Sequence, residues 1–435
     1  MNKLIQISAI LICMASLASC TVYKGIKYGN AAVDDYTIFE QDTVNKGTGH
    51  FTFAELDKGD RILDTMKLRF YFARQDSIYM MSIPESMERV NKPAAALIIK
   101  NDTIIFEHYY GGWDRNTQSC IFSITKTITS MLCGIALKEG YIKSLNDPVT
   151  DYIPELKKKD PLFDSLKIEH LLDMTAGLKF KENYSWNPFS KMARLYLGRN
   201  AMSVVKGMKF LNKPSEYYHY DSMTTQILGI VIERATGMPY AQYLSEKVWR
   251  PLGMEKDALI GLDSRKYGVA KSYAGLTSNV RDLAKVGRLY LNGGNWNGVQ
   301  IIDSAFVARS LSPHVSGEKR RSTYSYSWYW GIMGEKSFSD TDSLEAYYQD
   351  PHNLPENVTY CGWQRYEDDR ARAILHQGGY WAFGLYGQVL YINPRKNIIG
   401  VYLGADRFED FQNIFELRDD FPHETLTALH QTAAL

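Results

Sequence analysis

Phe122-Ser123-Ile124-Thr125-Lys126-Thr127-Ile128-Thr129-Ser130-Met131-Leu132-Cys133-Gly134-Ile135-Ala136-Leu137-Lys138 is the stretch on which the reading of this chain turns. Ile124, Ile128, Met131, Leu132, Ile135 and Ala136 fall on one stripe at helical spacing, and Gly140 stands where a helix stop is expected. The pattern predicts a helix over Ser123–Lys138. Positions three apart share a helix face, so Lys126 sits above Ser123. A serine hydroxyl is a poor nucleophile until a neighbour takes its proton. A lysine in a partly apolar pocket holds its proton less tightly and can serve as that base. A serine at a helix start also lies among unpaired backbone N–H groups, which favour developing negative charge. Ser-x-x-Lys is common by chance, and its bland meaning is a helix cap with a surface lysine. Here the lysine stands in the first turn, against the helix dipole, of a helix with almost no other charge, so it needs another reason to be there.

Upstream, Ala94–Lys100 and Thr103–Tyr110 are β-prone runs around Asn101-Asp102, which predicts a hairpin. Downstream, residues 150–310 carry helical segments, among them Thr225–Ala235, Tyr240–Trp249 and Asn279–Leu291. Strands return at Tyr324–Trp330, Leu385–Ile392 and Ile398–Leu403, and Leu68–Ala73 could add one more. Strands, then helices, then strands predict an α+β fold with a helical insertion between sheet halves. Tyr324, Tyr326, Trp328 and Trp330 would share one strand face, as sheet core or as an aromatic wall of an acyl pocket. The polar stretch Glu335–Ala373 is the best candidate for a surface insertion or lid.

The chain has 435 residues, enough for a large core or for two domains around one cleft. Lys and Arg total 50 against 49 Asp and Glu, and a net charge of +1 excludes nucleic-acid binding driven by bulk charge. The one long apolar run is at the N-terminus, which excludes a polytopic membrane protein. There Lys3 precedes the mostly apolar Leu4–Leu17, followed by Ala18, Ser19 and Cys20, in the pattern of a signal peptide. Of five cysteines, Cys120, Cys133 and Cys361 lie beyond this segment, too few for a disulfide scaffold. The histidines show no HExxH spacing, so no metal site is expected.

Together these segments resemble the serine β-lactamase-like superfamily. The match runs through Phe122–Lys126, Leu145-Asn146-Asp147-Pro148, Ile168-Glu169-His170-Leu171-Leu172-Asp173-Met174-Thr175-Ala176-Gly177-Leu178, Thr225–Gly229, Trp249–Met254 and Leu291–Gly294. It covers roughly residues 92–405 and looks most like the class C β-lactamase-related esterases and the 6-aminohexanoate-dimer hydrolase group. The resemblance implies a β-lactamase/transpeptidase-like fold: an antiparallel sheet flanked by helices, with an all-helical lobe at about 150–310 and the site between them. Leu17-Ala18-Ser19-Cys20 likewise resembles a bacterial lipobox, which implies cleavage before Cys20 and its acylation. The expected organisation is a signal peptide at 1–19, a lipidated tether and extension at 20–85, and a hydrolase domain at 86–435, held at the cell envelope of a bacterium by membrane-inserted acyl chains.

The family's second motif, Tyr-x-Asn or Tyr-x-Ser, maps onto Tyr220-x-Ser222. A phenol near a protonated lysine is more acidic and can shuttle a proton between the serine and a leaving group. Ser222 would hold Lys126 or the substrate, and Tyr218 is a rival two residues away. For the third motif two candidates stand close together. Ala382-Phe383-Gly384, followed by Leu385, resembles the 6-aminohexanoate-hydrolase form, and His376-Gln377-Gly378 resembles the esterase form. With the first, Gly384 lets backbone approach a substrate, and an N–H near Leu385 joins that of Ser123 as an oxyanion hole. Without a lysine in this motif, binding of the β-lactam carboxylate loses its cation. The resemblance therefore implies a serine hydrolase that cleaves a small ester or amide through an acyl-enzyme on Ser123, without a metal or organic cofactor. A peptidoglycan D,D-peptidase, a transacylase and a non-catalytic envelope-binding protein are the alternatives.

Overall fold

The computed structural model describes residues 20–57, 60–72, 77–90, 92–183, 187, 189–312, 324–338, 343, 346, 359–365 and 371–405. Among these, the main sheet runs in the order Tyr324–Ser325, Trp328–Phe338, Ala371–Gly384, Gln388–Asn393, Ile398–Gly404, Pro93–Lys100, Thr103–Tyr109, Ala54–Glu55, with Thr359–Arg365 pairing Ala371–Gly384. All its pairings are antiparallel except that of the short Ala54–Glu55 strand, which runs parallel to Thr103–Tyr109. The expected hairpin lies toward one edge of it, covered beyond Thr103–Tyr109 only by Ala54–Glu55. Asn101 and Asp102 both have positive φ, the geometry a two-residue turn needs, and short polar side chains tolerate it. Pro93–Lys100 is buried along almost its whole length because both its neighbours are strands and both faces are covered.

The helix Ile124–Lys138, with Ser123 at its head, is buried on all sides from Ile124 to Ala136. It packs between the sheet and the helix Ser222–Thr236. The fit is tight enough that a methyl added at Gly134 would meet the Phe306 ring at 2.6 Å. Its threonines are bonded to other elements, for example Thr127 Oγ1 donating to the Ser327 carbonyl at 2.9 Å. The helix Ser222–Thr236 is capped by Asp221, whose carboxylate accepts from Thr224 N–H at 2.7 Å, and stopped by Gly237 in the left-handed region.

Several elements differ from expectation. Tyr324–Trp330 is not one strand: Tyr326 and Ser327 have positive φ, and the chain reverses so that Tyr324 pairs Tyr329. The aromatic alternation therefore does not define one face. Leu385–Ile392 begins as a turn in which Tyr386 takes the left-handed φ +63°, and is extended only from Gln388. Glu335–Phe338 and Ala371–Ala373 are strand, while most of the expected insertion lies outside the described residues. Segment 150–310 is mainly helical but carries short strands such as Ala258–Gly261. Within it, the helix Val280–Leu291 belongs to the sheet, close enough that a methyl on Gly287 would meet Ile399 Cγ2 at 2.9 Å.

The segment after Cys20 is folded against the domain rather than forming a tether. A helix spans Cys20–Tyr28, and Gln41–Val44 pairs with Ala258–Gly261. Val22, Val44 and Phe53 are buried, which supplies the apolar contact that holds the segment down. Residues 1–19, and with them the expected signal peptide, lie outside the described residues.

Candidate active site

Phe122 takes φ +45°, a bend that costs about 1–2 kcal/mol for a residue with a side chain and turns the chain into the helix at Ser123. The bend is held from outside, since the Phe122 ring packs edge-on against Tyr386 at 5.5 Å. One turn along the helix, Lys126 is almost fully buried, and its Nζ lies 2.9 Å from Ser123 Oγ. The same Nζ reaches Ser222 Oγ at 3.2 Å and the Tyr273 carbonyl at 3.1 Å. Tyr220 approaches Lys126 through its ring, whose centroid is 4.9 Å from Nζ, and the Tyr273 ring is 5.7 Å away. The contact seen between Tyr220 and the lysine is thus a cation–π contact. Tyr218 packs on Tyr324 at 5.4 Å. Burial, and then the nearby phenols of Tyr329 and Tyr324, push its own phenol well above the ordinary value, which weighs against Tyr218 as a proton carrier.

Glu182 completes the network. Ser222 N–H donates to Glu182 Oε2 at 2.8 Å, and the Ser222 hydroxyl donates to Oε1 at 2.6 Å. The direction of these bonds decides what Lys126 can do. With its proton committed to the carboxylate, Ser222 Oγ can only accept from Lys126, and the Tyr273 carbonyl can only accept. A neutral Lys126 amine has two N–H donors and one lone pair. Ser222 and Tyr273 can take both donors, and the lone pair can then face Ser123, which has a proton to give. Sequence reasoning missed Glu182 and Tyr273. Glu182 stands in a loop 40 positions before Ser222, with no periodic or motif signal, and Tyr273 acts through its main chain.

Both third-motif candidates lie on the strand Ala371–Gly384. Gly384 is at its end, where an added Cβ would meet the Ile121 carbonyl oxygen at 2.4 Å. Ala382 is buried beside it, and Leu385 lines the same pocket as Ser123. His376 pairs with Ile332 and Thr359 eight positions back along the strand. The pairing is irregular between His376 and Tyr380, so at ~3.3 Å per residue the separation from Gly384 is at most roughly 26 Å, and the backbone still carries His376 away from the serine. The reason is geometric: one extended strand cannot bring both ends to one point.

The pocket opens to solvent and, together with that open mouth, spans about 710 Å³. Phe122, Ser123, Ser222 and Leu385 line it, with Asn183, Asn187, Met192, Tyr196 and Leu197 among the other lining residues. Gly25 and Gly29–Ala31, from the segment after Cys20, form a further wall. That wall is stitched to the site by Cys120 N–H donating to the Val33 carbonyl at 2.9 Å, by Tyr386 Oη to the Ala31 carbonyl, and by Tyr196 Oη to Asp35 at 2.6 Å. Among the described residues no cluster of His, Cys, Asp or Glu has the makings of a metal site, and Cys120 and Cys133 are free thiols.

The Beta-lactamase family model matches residues 83–419. The chain belongs to this family and is a serine hydrolase. It is 24% identical over 335 residues to the 6-aminohexanoate-dimer hydrolase of Paenarthrobacter ureafaciens, which spans 74% of this chain and 76% of that protein. Its fold is similar to that of a protein assigned as a 6-aminohexanoate-dimer hydrolase from Bacillus anthracis, with TM-score 0.67 and 20% identity over 92% of this chain and 94% of the other. A class C β-lactamase in complex with cefoxitin aligns with TM-score 0.52 and 16% identity over 80% and 96% of the two chains. The β-lactamase/transpeptidase-like fold expected from the sequence is thereby established.

Proposed function

We propose that this serine hydrolase cleaves the ester or amide bond of a small molecule through an acyl-enzyme on Ser123, and that it does so as an exported lipoprotein anchored through Cys20. The observation that carries the chemistry is the Lys126 Nζ to Ser123 Oγ contact of 2.9 Å, inside a network whose Ser222 hydroxyl and Tyr273 carbonyl accept from the lysine. In this reading Lys126 takes the Ser123 proton as Oγ attacks the carbonyl carbon. Backbone N–H groups of Ser123 and Leu385 hold the oxyanion. Tyr220, beside the newly formed ammonium, passes a proton to the leaving group, and water then releases the acyl group.

The test is turnover of a short-chain aryl ester, with mass spectrometry to catch the acyl adduct. Ser123→Ala and Lys126→Met should each lose several orders of magnitude in rate, and the double variant little more, because the two residues act as a unit. Tyr220→Phe keeps the ring contact and tests the hydroxyl alone. Full activity in Ser123→Ala sinks the mechanism, and no turnover of any ester or amide by the wild type points to a binding protein of the same fold. For the anchor, palmitate label should enter the wild type and not Cys20→Ala.

A further inference from the structure

The lipobox cysteine stands at the start of the helix Cys20–Tyr28, and that helix is a wall of the active-site pocket. At 1.5 Å per residue, Gly25 lies about 8 Å along the axis from Cys20 and Gly29 about 14 Å. A bilayer's headgroup layer is itself on the order of 5–8 Å deep. Acyl chains on Cys20 would therefore leave no slack between bilayer and pocket. The helix has two faces. Val22 and Gly25 turn inward to the protein, and Gly29 just past its end lines the pocket, while Tyr23, Ile26 and Lys27 turn out, with Tyr23 and Ile26 each 57% exposed. It packs on the helix Lys191–Leu197, and the loop that leads into that helix presents Phe189, 74% exposed, between the pocket residues Asn187 and Ser190. The rim is also cationic. Lys191 lies close enough to Lys179, Arg194 and Lys209 that, after burial, their charges lower its proton affinity. In a chain whose overall charge is only +1, this is a local concentration of one sign.

From these features we infer that the rim of the pocket docks on an anionic lipid bilayer and that the substrate is a membrane-resident amphiphile whose acyl ester or amide enters from the lipid side. Exposed aromatic and aliphatic side chains among lysines are what an interfacial surface offers to headgroups and acyl chains. This inference rests on the anchored-hydrolase reading given above.

The experiment uses the purified full-length protein in vesicles of phosphatidylcholine, with and without phosphatidylglycerol. Backbone hydrogen exchange in 21–28 and 189–194 should slow on the anionic vesicles relative to detergent, and the slowing should disappear in Ile26→Asp/Phe189→Asp. Equal exchange with and without anionic vesicles overturns the docking surface, and equal slowing on phosphatidylcholine alone overturns the anionic lipid as its occupant. The second readout is the ratio of turnover of a long-chain aryl ester dissolved in the vesicles to that of a water-soluble short-chain ester. The double variant should lower this ratio about tenfold at unchanged soluble-ester turnover, the effect of losing about 1.4 kcal/mol of interfacial binding. An unchanged ratio overturns the membrane-resident substrate. Failure of the hydrolase reading shows separately, as no turnover of either ester. Failure of the anchor shows in the mass of the N-terminal peptide, and the exchange measurement still decides docking.

Discussion

Gly384→Ala is the sharpest test of how the end of the sheet holds the nucleophile. The residue has φ −125° and ψ 162°, ordinary extended backbone, so alanine brings no conformational strain. What it brings is one methyl group, 2.4 Å from the Ile121 carbonyl oxygen and 2.9 Å from Gln388 Cβ. Ordinary contact begins at 3.4 Å, so strand and nucleophile loop must part by about 1 Å. Ile121 is two residues before Ser123, and Phe122 between them is already held at positive φ, so the displacement passes to the serine rather than being absorbed. Overpacking of this kind costs about 1–3 kcal/mol of stability, a few degrees in melting temperature. A misplacement of about 1 Å at a reacting group costs about 10²-fold in rate, close to 2.7 kcal/mol. The assay is kcat/KM on the short-chain aryl ester together with thermal unfolding. Gly49→Ala, where the new methyl meets nothing within 4 Å, is the control and should change neither. Wild-type kcat/KM in Gly384→Ala would refute the claim that the strand end positions Ser123.

Three further outcomes follow from the site. Glu182→Gln should lower kcat/KM by about 10–100-fold, the worth of a charge-assisted hydrogen bond. Removing a negative charge from near the lysine favours its neutral amine, so the acidic limb of the pH–rate profile should also move to lower pH; an unchanged profile would reduce Glu182 to packing. Asp221 is pushed up from 3.8 to about 7, by burial first, with neighbouring Glu182 adding to it. Its protonated form is thus favoured in the fold, and its contribution to stability is present below about pH 4 and lost as pH rises to about 7. Asp221→Asn keeps the cap and cannot ionise, so its stability advantage over wild type in urea melts should be larger at pH 8 than at pH 5; an equal difference at both would contradict the assignment. Lys271 is lowered to about 7 by burial, with its Nζ donating to the Tyr196 carbonyl at 2.7 Å. The unfolded chain there binds the extra proton, so this lysine's contribution is regained only as pH rises from about 7 toward 10.5, and Lys271→Met should flatten the alkaline side of the stability profile.

Local pattern carried what depends on neighbours in the chain. The stripe from Ile124 to Ala136 set the nucleophile helix, and the helical repeat alone placed Lys126 over Ser123. Asn101-Asp102 marked the hairpin, because a two-residue turn demands positive φ at both positions. The ordered motifs indicated the superfamily, and with it the sheet that joins Gln388–Asn393, through Ile398–Gly404, to Pro93–Lys100. Tyr326-Ser327 shows where such reading fails: the aromatic alternation around it looks like a strand, and only the pairing of Tyr324 with Tyr329 forces the reversal. The choice between Gly384 and His376 likewise needed the strand laid against Ile121, since both sequences carry a glycine in the right kind of run. Glu182 became part of the site only when its loop was folded onto the head of the helix Ser222–Thr236, and the Tyr273 carbonyl belongs to a backbone that has no signature of its own. The stretch after Cys20, expected as a lipidated tether and extension, instead buries Val22, Val44 and Phe53 and lends Gly25 and Gly29–Ala31 to the pocket. A helix or a two-residue turn is fixed by residues a few positions apart. A proton's direction or a pocket wall is fixed by groups tens to hundreds of positions apart, whose contact exists only after the whole chain has packed.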